Sequence, residues 1–170
     1  QNYDVLVDGK YTSKDGTTYC LEFKDSVYVV VEMSEPVLVT GYTLVTGGDT
    51  ASYTGRNPKS WTLYGCNDAE ADRNSASWVQ LHSVTDDTVL QAANYGQYTY
   101  EVSGQTQAYK YLKIEFSKIT SGTVMQLAEF IPLYSACAHD WSITDTRVVT
   151  CTVDGYTDYT CSKCNGTKRD

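Results

Sequence analysis

The segment that decides the fold is RNPKSWTLYGCND, residues 56–68. Its middle alternates apolar and polar side chains, so Trp61 and Leu63 point to one face of a strand. Turn-forming residues bound the strand on both sides, at 56–58 and again at 65–68. The pattern predicts a β-strand with one buried face, on which Trp61 is a core residue.

Strand-like runs continue on both sides of this segment. Six further runs are rich in β-branched and aromatic residues: 26–33, 37–45, 78–84, 97–102, 109–116 and 123–131. Trp78 is expected in the core, His82 is expected to be an ordinary strand residue, and residues 86–93 are expected to form a short helical turn. Seven or eight short strands separated by turns predict an all-β protein, an antiparallel β-sandwich or jelly roll.

Length and cysteine distribution predict two domains. Residues 1–134 can bury a core of their own, and only two of the six cysteines lie there. Residues 137–170 are too few for hydrophobic burial alone and are expected to form a small β module stapled by a metal or by disulfides.

Composition and missing motifs exclude several functions. The formal charge of -8 offers no basic stripe for nucleic acid, and no apolar run approaches the length of a membrane span. The sequence contains no Gly-x-Ser-x-Gly, His-Glu-x-x-His or phosphate-binding glycine loop, so we expect no enzymatic activity. Abundant Tyr, Thr and Ser are typical of a secreted or cell-surface protein, and the first residues suggest a piece of a longer chain with other domains.

The C-terminal module carries five candidate metal ligands for four places: Cys137, His139, Cys151, Cys161 and Cys164. The Cys-x-x-Cys and Cys-x-His pairs are typical of a structural zinc site, with Trp141 packed over it. Two disulfides with an uninvolved His139 are the alternative, and a Cys137–Cys151 disulfide beside the metal is another. The pattern resembles small ribbon modules in secreted proteins of gut Firmicutes, which implies a scaffold role in either case.

The order of motifs in the larger domain carries a second resemblance. The segments that match are LVDG (6–9), TTYC (17–20), VYVVVE (27–32), GYTL (41–44), residues 56–68 with Trp78, YKYLKI (109–114) and QLAEF (126–130). Over residues 2–134 the chain resembles discoidin-like (F5/8 type C, galactose-binding-like, CBM32-type) domains. That resemblance implies a jelly roll and, by analogy, a carbohydrate-binding module of a larger bacterial glycosidase or adhesin. Relatives also bind lipids or proteins, so a protein-binding adhesion domain and a structural spacer without ligand remain alternatives.

The resemblance also implies a structural calcium ion. The matching positions are Asp8, Thr17, Ala128 and Glu129, with the carbonyl of Val5 as a further ligand; such oxygens suit Ca²⁺. The loop of residues 10–16 is longer than usual in the family, and its acid Asp15 is a substitute donor. Alternatively, Asp8 only forms a turn with the next residue, and Glu129 only bonds loop amides.

Loops at one end of the sandwich hold the ligand in this family. Here they supply Tyr53, Arg56, Asn94 and Tyr95, an aromatic and hydrogen-bonding set that suits a glycan. The alternative for each residue is plain loop packing. These loops lack the histidine that galactose-specific relatives usually contribute, which argues against galactose.

The two cysteines of the larger domain are Cys20 and Cys66. In an extracellular protein they are expected to form a disulfide, and two buried free thiols are the alternative.

Overall fold

The computed structural model describes residues 3–68 and 77–170, with side chains from residue 5 onward. Within these residues the chain forms eleven strands: β1 (Tyr19–Glu22), β2 (Val27–Val45), β3 (Pro58–Cys66), β4 (Val79–Val84), β5 (Gln97–Glu101), β6 (Tyr109–Ile119), β7 (Val124–Leu127), β8 (Glu129–Ala136), β9 (Trp141–Arg147), β10 (Tyr156–Cys161) and β11 (Thr167–Arg169). Two short 3₁₀ segments lie at Tyr3–Val7 and Thr54–Arg56. All described strand pairs are antiparallel, which confirms the predicted all-β class.

The larger domain is a sandwich of a main sheet and a two-stranded ribbon. The main sheet has the order β4-β3-β6-β2-β5, and β8 also pairs with β2; the ribbon is β1-β7. The main sheet and the ribbon contribute to one core, which contains Trp61 and Phe116 from the sheet and Tyr19 and Leu127 from the ribbon. The inward-facing residues of the two layers are therefore buried against each other.

Strand β3 has the predicted alternation. Trp61 and Leu63 are 1% and 0% exposed, whereas Thr62 between them is only partly buried. The prediction that Trp61 is a core residue is confirmed. The same prediction for Trp78 is wrong, because Trp78 is only half-buried, with the Lys113 ammonium 5.0 Å from its ring centre.

The segments 26–33 and 37–45 form one strand rather than two. Strand β2 pairs with β6 from Val27 to Val37, with β8 from Val37 onward and with β5 from Gly41 onward. The pairing with β6 has a register irregularity between Glu32 and Val37. Pro36 lies in this irregular segment, where its missing N–H costs no regular ladder bond. Conversely, the predicted strand 123–131 is divided at Ala128 into β7 and β8, and the Ala128 amide bonds the Val45 carbonyl at 2.8 Å.

The helical turn expected over residues 86–93 is absent from the structure, which has bends there. Asp86 has a φ of +49°, outside the helical region. The Asp87 carboxylate accepts the amides of Val89 at 3.0 Å and Leu90 at 2.8 Å. A side chain that takes up these amides stabilises a turn in place of a helix.

The predicted Cys20–Cys66 disulfide is not present, and both thiols are free. Cys20 lies on the ribbon opposite Gln126 and shares a cleft with Arg56, which directly precedes β3. Cys66 lies at the opposite end of β3. Nine strand residues span about 26 Å, far beyond the ~7 Å that a disulfide allows between Cα atoms. The Cys66 sulfur instead lies 2.9 Å from the Ser77 hydroxyl.

A three-stranded sheet, β11-β10-β9, follows the sandwich. Strand β8 continues to Ala136, which pairs with Val37, and Cys137 comes directly after it. In the described part of the chain, no helix is long and apolar enough to cross a membrane.

Candidate functional site

Two loops meet at one end of the sandwich, residues 46–57 after β2 and residues 94–96 before β5. Thr46 is fully buried and joins them, because its amide bonds the Gly96 carbonyl at 3.0 Å and its hydroxyl accepts the Gly96 amide at 2.8 Å. The Tyr95 amide also bonds the Gly47 carbonyl, and Tyr95 itself has a φ of +52°. The two loops are therefore held as one surface.

Arg56 lies at the centre of this surface. Its guanidinium carbon is 3.7 Å from the centre of the Tyr53 ring, and its Nη1 donates to Gln126 Oε1 at 2.9 Å. Gln126 is fully buried on β7 and donates through Nε2 to Asp49 Oδ1 at 2.7 Å and to the Thr50 hydroxyl at 3.1 Å. Asp49 Oδ2 lies 3.8 Å from Arg56 Nη1. The guanidinium is thus fixed by a stacked ring, a buried amide and a carboxylate.

Two clefts flank Arg56. The first, which we call the Asp49 cleft, has a volume of about 350 Å³ and is lined by Thr18, Cys20, Gly48, Asp49, Arg56, Tyr95 and Gln126. The second, the Tyr53 cleft, has a volume of about 250 Å³ and is lined by Tyr53, Thr54, Gly55, Arg56, Ser121, Gly122, Thr123 and Val124. Both are open and each includes a tyrosine, but the Asp49 cleft has a mixed polar and apolar lining, whereas the lining of the Tyr53 cleft is mostly apolar. Such a lining can accept the hydroxyls and the apolar face of a small polar ligand.

The structure brings three of the four proposed ligand residues to these clefts, namely Tyr53, Arg56 and Tyr95. Asn94 lines neither cleft, and its Oδ1 accepts the Ala51 amide at 2.8 Å, so it braces the loop. The sequence analysis did not single out Asp49 and Gln126, which also line the Asp49 cleft. A glutamine inside the apolar run 124–131 is the one signal that pointed to Gln126, because a buried amide needs partners.

The residues proposed for calcium lie around the start of β8. Glu129 is 3% exposed, and its Oε1 accepts the Gly9 amide at 3.0 Å. Asp8 accepts the Lys10 amide at 2.9 Å through Oδ1 and the Thr17 hydroxyl at 3.2 Å through Oδ2. Burial raises the pKa of Glu129, the Gly9 amide opposes this rise, and the nearby charge of Asp8 adds to it. Two carboxylates here therefore repel one another.

One atom of this group has no partner. Glu129 Oε2 is buried and accepts no hydrogen bond from the described residues. A buried carboxylate oxygen beside a second carboxylate suits a hard cation. Of the remaining proposed ligands, Val5 is half-buried against the core and Ala128 is fully buried. Asp15, the substitute donor, is hydrogen-bonded by the Thr12 hydroxyl.

Four of the five soft ligands of the C-terminal module come together. The ligand atoms of Cys137, His139, Cys161 and Cys164 all lie within 4.8 Å of one another. The Cys137 and Cys161 sulfurs are 4.0 Å apart, and Cys164 Sγ lies 3.4 Å from His139 Nδ1. A tetrahedral zinc with bonds of about 2.3 Å to sulfur and 2.0–2.1 Å to nitrogen has S–S and S–N edges of about 3.8 and 3.6 Å. The spacing therefore fits a Cys₃His site.

Cys151 lies apart from this cluster, exposed in a turn, and all six cysteines are free. The disulfide alternatives, including Cys137–Cys151, are therefore not what the structure contains. His139 stacks on Trp141 with ring centres 4.6 Å apart, so the tryptophan packs at the cluster as predicted.

Backbone amides surround the sulfurs of this cluster. The amides of Asp140 and Lys163 donate to Cys161 Sγ at 3.4 and 3.3 Å, and the Gly166 amide donates to Cys164 Sγ at 3.4 Å. Burial acts to raise the pKa of Cys161, but these amides and His139 outweigh it and lower that pKa to about 6. Burial and the two neighbouring thiols raise the pKa of Cys137 to about 12. Cys161 therefore loses its proton more readily than Cys137 does, and a metal ion would displace the thiol protons on binding.

Comparison with known proteins adds two findings. The family model described as "Sad1 / UNC-like C-terminal" matches residues 10–127, more than half of the chain. No curated protein matches.

Several solved structures share the fold of the larger domain. A chitosan-binding module of a chitosanase/glucanase from Paenibacillus sp. IK-5 has a TM-score of 0.56 at 16% identity, covering 78% of this chain and 84% of its own. An F5/8 type C domain from Bacteroides fragilis has a TM-score of 0.52 at 15% identity, covering 76% and 78%. A CBM32 module from Clostridium perfringens, in complex with GalNAc-β-1,3-galactose, has a TM-score of 0.54 at 12% identity, covering 75% and 80%.

Proposed function

Since the chain belongs to the Sad1/UNC-like C-terminal family and has its discoidin-like β-sandwich fold, we propose that it is a non-catalytic carbohydrate-binding module. It would serve a larger secreted or cell-surface protein and hold that protein on a glycan.

The observation that carries this proposal is the fixed Arg56–Tyr53 pair between two open clefts. Glycans are recognised by rigid aromatic faces and by charged or amide groups that bond sugar hydroxyls. Asp49, Gln126 and Arg56 hold one another in place before any ligand arrives, so little ordering cost remains on binding. Two clefts joined at Arg56 suit a ligand of more than one sugar ring.

The solved structures of the same fold support the glycan class. Those from Paenibacillus and Clostridium perfringens are named for chitosan binding and for a complex with GalNAc-β-1,3-galactose. These ligands belong to those proteins, and the identity of the sugar for this chain is left to experiment.

A glycan microarray probed with the 170-residue chain tests the proposal. We expect binding to a limited set of glycans that a free monosaccharide or disaccharide from that set competes away. Silence across a broad array would contradict glycan binding and favour a protein partner or a spacer role. The Arg56→Ala variant, run in parallel, ties the signal to the two clefts.

A structural calcium ion is the second part of the proposal. The buried, unpartnered Oε2 of Glu129 and the neighbouring Asp8 and Thr17 supply the oxygens, with main-chain carbonyls of Val5 and Ala128 completing the set. Calcium would relieve the repulsion between the two carboxylates and fix the loop that precedes β1.

Thermal unfolding with and without calcium tests this assignment. We expect millimolar Ca²⁺ to raise the Tm, because a ligand that binds only the folded state stabilises it. The Glu129→Gln variant should lose that response, whereas Asp154→Asn, at an exposed acid of the C-terminal module, should keep it. A Tm that ignores calcium in the unaltered chain would contradict the assignment.

Structural zinc in the C-terminal module is the third part. Cys137, His139, Cys161 and Cys164 fill all four places of a tetrahedral site, which leaves no open position for catalysis. Native mass spectrometry should find one zinc per chain, retained by Cys151→Ser and lost by Cys164→Ser. Loss of zinc in Cys151→Ser, or none in the unaltered chain, would contradict the site.

A further inference from the structure

The turn of residues 161–164, which we call the knuckle, contacts the sandwich as well as the metal cluster. The Lys163 carbonyl accepts the Ala108 amide at 2.8 Å and is also bonded by the Gln107 side-chain amide. Ala108 is 1% exposed and forms one buried cluster with Cys161 and Cys164. The same four-residue turn thus supplies two metal ligands and the contact to the larger domain.

The sandwich side of this contact is braced. Asn67, directly after β3, donates to the Ala108 carbonyl at 2.8 Å and accepts the Lys110 amide at 2.8 Å. Residues 107–108 are therefore held to the start of β6 and to the end of β3. The knuckle docks on a rigid part of the larger domain rather than on a free loop.

The other two ligands come from the opposite direction. Strand β8 belongs to the sandwich up to Ala136, and Cys137 and His139 follow with no spacer. One ion would therefore join a segment that leaves the sandwich to a knuckle that returns to it. Buried apolar residues at this junction are few: Ala108, Cys161 and Cys164, with Cys137 and Trp141 half-buried beside them. So small a cluster is not expected to hold two domains together without the ion.

We infer that the metal centre is a joint, and that metal occupancy locks the C-terminal module onto the sandwich through the knuckle and Ala108. With the ion bound, the two parts form one rigid body. Without it, the knuckle opens, the contact to Ala108 is lost, and the module moves independently of the sandwich. This inference rests on the zinc site proposed above.

Backbone ¹⁵N relaxation of the 170-residue chain tests the joint. Amides of the sandwich and of β9–β11 should report one common rotational correlation time with zinc bound. After removal of zinc with a chelator, the module amides should show a clearly shorter correlation time, while the sandwich amides keep their dispersion. If module and sandwich amides still share one correlation time after zinc removal, the joint is overturned and the zinc site stands. If the unaltered chain contains no zinc, both the joint and the zinc site are overturned.

A variant separates the interface from the metal. Ala108→Glu places a charge against the knuckle on a residue that supplies no metal ligand, and Ala108→Ser is its matched small control. We expect Ala108→Glu to keep one zinc per chain yet to show independent motion of the module, and Ala108→Ser to behave as the unaltered chain. Joint tumbling of a zinc-loaded Ala108→Glu would overturn the inference. If Ala108→Glu loses zinc, the chelation experiment on the unaltered chain decides.

Discussion

The guanidinium of Arg56 lies over the ring of Tyr53, with 3.7 Å between the guanidinium carbon and the ring centre. Tyr53 remains 47% exposed as a residue, while Gln126 fixes the guanidinium from the buried side. A cation stacked on an aromatic face is worth about 0.5–1 kcal/mol at an exposed site, so the pair is ordered before a ligand binds. This preorganisation is the feature on which the binding predictions depend.

Replacement of Arg56 by Ala should weaken glycan binding by at least ~10-fold, or about 1.4 kcal/mol. The change removes the donor shared by both clefts and frees Tyr53 from its stack. Isothermal titration with a glycan found on the array measures the loss. Arg147→Ala, at an exposed arginine of β9, is the control and should bind as the unaltered chain; equal affinity of Arg56→Ala would contradict the site assignment.

Replacement of Gln126 by Ala should destabilise the larger domain by about 1–3 kcal/mol, because buried partners lose their hydrogen bonds. The amide joins Arg56, Asp49 and Thr50 in a fully buried position. Urea unfolding followed by tryptophan fluorescence measures the change. Gln80→Ala, at an exposed glutamine of β4, should be nearly neutral, and a Gln126 variant as stable as that control would be evidence against the network.

His82 should make the stability of the sandwich fall under mildly acidic conditions. The indole N–H of Trp61 donates to the Tyr42 hydroxyl at 2.6 Å, so the hydroxyl hydrogen is directed to His82 Nδ1 at 2.9 Å. Burial lowers the pKa of His82, which means that the unfolded chain binds the proton more readily. The stability that neutral His82 contributes to the folded state is therefore complete above the ordinary histidine pKa. It is lost as the pH falls through the lowered pKa of His82.

The measurement is the free energy of unfolding at a series of pH values from neutral to mildly acidic. His82→Asn offers an amide oxygen in place of Nδ1 and cannot titrate, so it should show a shallower slope than the unaltered chain. Parallel slopes for the two proteins would show that His82 plays no part.

Cys20 and Cys66 should both react with iodoacetamide in denatured, unreduced protein, because both are free thiols and lie on different layers of the sandwich. Peptide mapping by mass spectrometry identifies the labelled sites. A cross-linked Cys20–Cys66 peptide pair would contradict the described arrangement of β1 and β3.

The sequence predicts local patterns well and long-range arrangements poorly. Alternation around Trp61 and Leu63 identified the buried face of β3, because side-chain period is a local property. The segment around Pro36 looked like the end of a strand, yet β2 continues there because it changes partner from β6 to β5 and β8. That exchange depends on strands distant in the sequence.

The same limit applies to the candidate sites. The family resemblance implies Tyr53 and Arg56 as ligand residues, but the link from Arg56 through Gln126 to Asp49 joins residues 70 and 77 positions apart in the sequence. The choice among the five soft ligands also needed geometry, since spacing alone does not separate Cys151 from Cys137. Neither the network nor this choice has a local signature.

The most direct test of the binding account is a ¹⁵N–¹H correlation spectrum of the 170-residue chain during titration with the sugar that competes on the array. We predict that the shifts concentrate on amides of the two clefts, in residues 47–56, 94–96 and 121–124. Saturable shifts confined to these loops would support glycan binding at Arg56. Saturable shifts located elsewhere, or none at millimolar sugar, would contradict it.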